Sequence, residues 1–209
     1  MTDETYVHNW TPRPEQLGED FDAALELAAD AHRSQTRKGG KIPYIGHLLG
    51  VCAMVIEEGG GEAEAIGALL HDIVEDQGGR ERLEQIRARF GEEVAMIVEA
   101  CSDRVDTDAV PPWPERKRRY LEELDSQPPS VLIVSLADKL YNARAIQRDH
   151  RAEGEQLWKR FNAGREETLW YYSELSARFS RLMPDCRMAP ELAAVVAELA
   201  EETADASPK

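Results

Sequence analysis

Apolar positions along this chain recur three or four residues apart, the spacing of a helix face, and the chain reads as helices joined by short loops. Over 19–37 the repeating set is Phe21, Ala24, Leu25, Leu27, Ala28 and Ala31, and Gly39-Gly40 ends it before an extended stretch at Pro43-Tyr44. A second helix is predicted over 46–58, with Val51, Met54 and Val55 on one side and Gly59-Gly60-Gly61 as its stop. The third, over 62–76, carries Ala65, Ile66, Ala68, Leu69, Leu70, Ile73 and Val74. It is apolar nearly all round, which predicts a central, buried helix.

Further helices are predicted over 80–90 and 92–102, divided by Gly91, and over 115–124, after a rigid loop at Pro111, Pro112 and Pro114 that Trp113 should anchor. The segment 130–148 opens on Val131-Leu132-Ile133-Val134, a β-branched start that could suit a strand. Its length, and the lack of other strand candidates, favour a helix. Helices over 155–183 and 190–204 complete the set. The Trp158, Phe161, Leu169, Trp170, Tyr172 and Leu175 stripe of the first reads as core. The expected fold is an all-α, single-domain helical bundle over 19–185. An N-terminal extension over 1–18 precedes it, and a C-terminal helix with a frayed tail, 186–209, follows.

Composition narrows the function. Twenty-five Lys and Arg against forty Asp and Glu leave a formal net charge of −15 in 209 residues. A general grip on nucleic acid needs a basic face, so that partner is not expected. A small polyanion stays open if a local cluster of cations or a metal receives it. No apolar run reaches the roughly 20 residues of a membrane span, and the polar start with Asp3, Glu4 and Glu15 does not read as a secretion signal. A cytoplasmic protein is expected. Cys52, Cys101 and Cys186 are far apart and read as buried thiols in a reducing compartment. Oligomeric state is open, a homo-oligomer included.

The chemistry gathers in Leu69-Leu70-His71-Asp72-Ile73-Val74-Glu75-Asp76. Ionisable residues in an apolar helix are costly unless paired or bound to metal. Residues four apart share a face, which pairs His71 with Glu75 and Asp72 with Asp76. A neighbouring His and Asp suit a divalent cation with mixed nitrogen and oxygen ligands, and two carboxylates one turn on could act on a water. A helix end with solvated acids and a satisfied core histidine would show the same pattern. His47, at the head of the second helix, and Asp138, with Asn142 one turn beyond it, could complete the coordination sphere.

The order His47, His71-Asp72, Asp138 resembles the HD-domain metal-dependent phosphohydrolases. The blocks Ala31-His32-Arg33-Ser34-Gln35-Thr36-Arg37-Lys38, Pro43-Tyr44-Ile45-Gly46-His47, Ala68 to Asp76 and Leu136-Ala137-Asp138-Lys139-Leu140-Tyr141-Asn142 are similar to the hydrolase domain of alarmone synthetase/hydrolases and to the small alarmone hydrolases. The resemblance spans 21–147, and 158–175 is similar to the stand-alone type. It implies removal of the 3′-pyrophosphate of guanosine tetra- or pentaphosphate with manganese, although iron, cobalt or zinc also suit the ligand types. It implies His47, His71, Asp72 and Asp138 as metal ligands, and Glu75 and Asp76 as the groups that position and activate water. Arg37 and Lys38 would contact the nucleotide and Asn142 its sugar, while His32 has no metal duty. Leu48 stands where the family usually has proline, and Ala145 where long relatives tend to carry a hydroxyl. Lys139 or Arg144 could add positive field, and the run Arg116-Lys117-Arg118-Arg119 could form a rim or a solvated face. The adenosine alarmone, another nucleotide, and a helical regulatory protein without catalysis are the competing readings.

Overall fold

Residues 10–76, 78–102 and 111–205 are described by the structure, a computed structural model, with the side chains of Asp76 and Asp205 left aside. They form α1 (Glu19–Ala31), α2 (Ile45–Glu57), α3 (Glu62–Leu70), α4 (Ile73–Asp76), α5 (Gly79–Phe90), α6 (Glu92–Cys101), α7 (Trp113–Leu124), α8 (Pro129–Glu153), a 3-10 segment (Gly154–Arg160), α9 (Gly164–Leu182) and α10 (Met188–Asp205). The one β pairing among the described residues is an isolated antiparallel bridge between Thr36 and Pro43. The all-α expectation holds.

The apolar third helix is the hub. Every residue from 64 to 70 in α3 is buried, and α1, α2, α6 and α8 pack around it. A helix apolar on all sides is stable only where neighbours cover all sides, and here they do. Gly67 makes one of these approaches possible, because a Cβ built on it would lie 2.6 Å from Ile97 Cγ2 on α6. Gly67→Ala is therefore expected to force the two helices apart at a cost of about 1–3 kcal/mol. A calorimetric melting temperature several degrees below wild type would show this, and an unchanged one would contradict the close approach.

The second axis is α8, whose start Ser130 to Asp138 is buried throughout. Pro129 opens it at a position where a missing N–H costs nothing. The β-branched run is thus a helix, packed on α2, α3, α6 and α10. Trp113 lies edge-on to Tyr171, 5.7 Å between centroids, and anchors the start of α7 as expected.

Three boundaries differ from the sequence reading, each for a local reason. The first helix stops at Ala31 instead of continuing to 37, because the chain turns back on itself. Arg37 N–H donates to Ile42 O and Tyr44 N–H to Gln35 O, both at 2.9 Å. The resulting hairpin carries Arg37 and Lys38. The helix expected over 62–76 breaks between α3 and α4, at His71-Asp72. The helix expected over 155–183 is divided by Gly164, whose φ of +70° suits glycine, and its first part joins the 3-10 segment behind a longer α8. In the N-terminal region, Trp10 Nε1 donates to Glu58 O at 3.0 Å and Arg13 N–H to Gly59 O at 2.7 Å, which straps residues 10–18 across the α2–α3 corner.

Candidate metal centre

Three stretches of the chain converge on one point. His47 lies on the first turn of α2, His71 and Asp72 in the turn between α3 and α4, and Asp138 in the buried half of α8. His47 Nε2 stands 3.3 Å from His71 Nε2, 3.3 Å from Asp72 Oδ2 and 3.3 Å from Asp138 Oδ1. His71 Nε2 is 3.0 Å from Asp72 Oδ2 and 3.6 Å from Asp138 Oδ1. Two nitrogens and two oxygens thus face a common centre, all from buried or half-buried side chains.

The helix break explains how His71 gets there. Its Nδ1 lies 2.8 Å from Ala68 O. A carbonyl only accepts, so Nδ1 donates to it and Nε2 is the nitrogen turned toward the cluster, the one that would give up its own proton to a metal. The same bond draws the Ala68 carbonyl away from the helical ladder and helps end α3. The turn interrupts the continuous helix face on which His71 was expected to pair with Glu75 and Asp72 with Asp76, and the Asp76 side chain lies outside the described residues.

The electrostatics favour a cation. Burial alone would strip the proton from His71, but the carboxylates of Asp72 and Asp138 outweigh it and hold its pKa well above the usual value. Burial would likewise raise Asp72, yet the neighbouring His71 charge and the His47 contact hold it well below. Asp138 is also held low, against burial, by the Lys139 charge and the two imidazoles. A site whose carboxylates keep a positive charge on a buried imidazole fits a divalent ion with nitrogen and oxygen ligands.

Asp138 is fixed from behind. Lys139 Nζ donates to its Oδ2 at 2.6 Å, and Asn142 Nδ2 to its Oδ1 at 2.6 Å. Arg37 Nη2 donates in turn to Asn142 Oδ1 at 2.5 Å, linking the hairpin to α8. On the other side of His47, the Tyr141 ring lies 5.1 Å away. It fits there because residue 50 is glycine, where any side-chain carbon would collide with the ring.

A cavity of about 630 Å³ shares His47 with the cluster and is lined by Arg37, Lys38, Asn142, Arg148 and Arg160. That volume suits a nucleotide-sized ligand. Tyr44, Phe161 and Tyr172 add aromatic walls, and Ala145 also faces it. Asp149 and Glu153 line it too and pair with Arg148 and Arg160, so the local positive charge that stands against the overall −15 rests chiefly on Arg37 and Lys38.

The sequence-predicted residues are mostly brought together. His47, His71, Asp72, Asp138, Asn142 and Arg37 form one connected group, and Lys38 lines the cavity. Glu75 is half-buried on α4. The Asp76 side chain lies outside the described residues. Arg144 does not add to the pocket, since Glu191 on α10 pairs with it. Lys139 adds its charge at Asp138 instead. In the basic run, Lys117 packs 5.2 Å from the Tyr171 ring and Arg118 5.8 Å from the Trp170 ring. None of the four residues lines the cavity. Leu48 lies inside α2 and is fully buried, so it fills core where the family's proline would stand.

Sequence reasoning assigned no role to Tyr44, Tyr141, Arg148 or Arg160. Tyr44 and Tyr141 lay within blocks that carry the family resemblance, which was a usable signal; the two arginines had none. The thiols stay out of the chemistry, since burial pushes Cys101 up to about 11 and Cys52 and Cys186 up to about 12. At neutral pH they are protonated.

Residues 24–169 match the family described as HD domain. The chain belongs to the HD-domain family. Membership implies a divalent metal, and the His-His-Asp group of His47, His71 and Asp138 is the set that fits one. Among curated HD-domain relatives, the chain is 42% identical over 128 residues to the guanosine-3′,5′-bis(diphosphate) 3′-pyrophosphohydrolase MESH1 of Xenopus tropicalis, covering 60% of this chain and 68% of that protein. The Homo sapiens MESH1 is 38% identical over the same length and shares. A solved metazoan ortholog of SpoT, described as hydrolyzing ppGpp, superposes with a TM-score of 0.69 at 24% identity, over 88% of this chain and 97% of that one. That likeness shows the HD-domain fold. No described helix is long and apolar enough to cross a membrane.

Proposed function

We propose that this protein is a cytoplasmic, manganese-dependent hydrolase that removes the 3′-pyrophosphate from guanosine tetra- and pentaphosphate, leaving GDP or GTP. The observation that carries the reading is the junction of the four-ligand cluster with a cationic, nucleotide-sized cavity through His47, Arg37 and Asn142. The names borne by its relatives in two vertebrates support the same substrate.

In this reading His47, His71, Asp72 and Asp138 hold the metal. Bound there, a divalent ion supplies Lewis acidity to the attacking water and to the phosphoryl oxygens. Glu75, with Asp76 beside it, orients that water and takes its proton. Arg37 and Lys38 meet the anionic nucleotide at the mouth of the cavity, and Asn142 meets its ribose while still holding Asp138. The fixed Asn142 and Lys139 contacts keep the Asp138 carboxylate from turning away, so the ligand oxygen is set before substrate arrives.

The reaction assay decides the substrate. The protein loaded with Mn²⁺ is incubated with guanosine and adenosine alarmones and with plain nucleoside triphosphates, and products are separated by chromatography. Pyrophosphate from the guanosine alarmone, with the 5′ phosphates intact, is the expected result. Turnover of the adenosine form alone would reassign the base. Phosphate or triphosphate from plain nucleotides would place the chain in another branch of HD-domain chemistry, and no turnover with any divalent metal would make it a binding protein.

A further inference from the structure

Tyr44 touches both halves of the site. Its hydroxyl donates to Asp72 Oδ2 at 2.6 Å. That oxygen is also the one 3.0 Å from His71 Nε2 and 3.3 Å from His47 Nε2, so it is the oxygen turned into the cluster. Asp138 is held by Lys139 and Asn142, whereas Asp72, half-buried in a turn, receives Tyr44. A carboxylate with a donor on its ligating oxygen has fewer orientations to lose when a metal binds, and such outer partners tune metal affinity.

The ring of Tyr44 has its own neighbours. It stacks on His32 at 5.2 Å between centroids, with 22° between planes, and meets the His47 ring edge-on at 5.4 Å. The Arg37 guanidinium carbon lies over it, 5.6 Å from the centroid, within range for a cation–π contact. Arg37 is the residue that the cavity presents to an anionic ligand. The stack on His32 prevents the ring from swinging out of this position.

We propose that Tyr44 is a positioning residue that aims Asp72 Oδ2 at the metal through its hydroxyl and seats Arg37 on its ring, so that one side chain aligns both metal and anionic substrate. This rests on the metal-hydrolase reading of the site. The two duties belong to different parts of the side chain and separate by substitution. Tyr44→Phe keeps the ring and removes the hydroxyl; Tyr44→Leu removes both.

Mn²⁺ affinity is measured by chelator competition on the protein alone, without nucleotide, and KM is measured at saturating metal. Both variants are expected to bind Mn²⁺ roughly 10- to 100-fold more weakly. KM should stay within about twofold of wild type in Tyr44→Phe and rise roughly three- to thirty-fold in Tyr44→Leu. The metal-free melting temperature of Tyr44→Phe should match wild type, since a role in aiming one carboxylate leaves the fold alone. Wild-type Mn²⁺ affinity in Tyr44→Phe overturns the proposal, and so does a loss of affinity that comes with a fall in the metal-free melting temperature. Equal KM values in the two variants overturn the role of the ring. A wild-type protein inert on every alarmone would overturn the substrate reading instead, and the Mn²⁺ comparison would still decide the hydroxyl's role.

Discussion

Glu75→Gln is expected to lower kcat by about 100- to 10,000-fold while the metal stays bound, the span typical of general acid–base help. Glu75 lies three residues beyond Asp72, on the short α4 that leaves the cluster directly. The two residues between them, Ile73 and Val74, are buried in the core, whereas Asp72 and Glu75 are each half-buried. In the proposed reading Glu75, just beyond the turn that carries His71 and Asp72, is the carboxylate that meets the water. Glutamine matches the volume and keeps a hydrogen-bonding oxygen, but it accepts no proton. KM should change little, because in the proposed reading Arg37, Lys38 and Asn142 hold the nucleotide, and a loss confined to kcat marks an interaction made in the transition state. The measurement pairs steady-state kinetics with elemental analysis of the same sample. A kcat loss below tenfold, or metal lost in step with activity, would remove Glu75 from water activation.

How much of this was legible in the sequence depends on the range of the interaction. The helices follow from 3.6-residue periodicity, and the burial of α3 follows from its apolar faces. The ligand residues were legible as types, because His and Asp in an apolar helix demand a partner. Their meeting point was not, since His47, His71 and Asp138 come from three helices whose packing no local pattern states. The break at His71 was hidden for a different reason. The break is accompanied by a side-chain bond from His71 to Ala68 O, a contact that apolar periodicity does not register. The hairpin beyond Ala31 was half visible, in Gly39-Gly40 and Pro43, yet the apolar spacing carried the helix too far. Arg144 and Arg148 are one turn apart, so the sequence places them on one face of α8. Glu191 on α10 takes the first and the cavity the second, a division made entirely by tertiary packing.

Asp72→Ala and Asp138→Ala should both empty the metal site but differ sharply in stability. In the proposed four-ligand reading, losing either carboxylate removes a ligand atom and a negative charge at once, which should weaken metal binding enough for the purified protein to lose its ion. Asp72 is half-buried, and its partners are the Tyr44 hydroxyl and the His47 and His71 rings, with no buried lysine among them. Its removal takes away one of the two carboxylates that hold the His71 pKa up, and Asp138 remains beside the ring. Asp138 is different, because it is 6% exposed and bears the buried Lys139 ammonium on Oδ2. Burial would lower the Lys139 pKa, and the Asp138 charge is what holds it well above the ordinary value. Deleting that carboxylate leaves a cation among Tyr120, Tyr171 and the core of α8, and breaking a buried pair from one side costs roughly 3–5 kcal/mol. The metal-free Asp138→Ala protein should therefore melt on the order of 10 °C below metal-free wild type, whereas Asp72→Ala should melt within a few degrees of it. Elemental analysis and calorimetry on the two proteins read both effects. Metal content equal to wild type in Asp72→Ala would sink the four-ligand assignment, and equal melting temperatures in the two variants would show that the Lys139 charge finds another partner when Asp138 is gone.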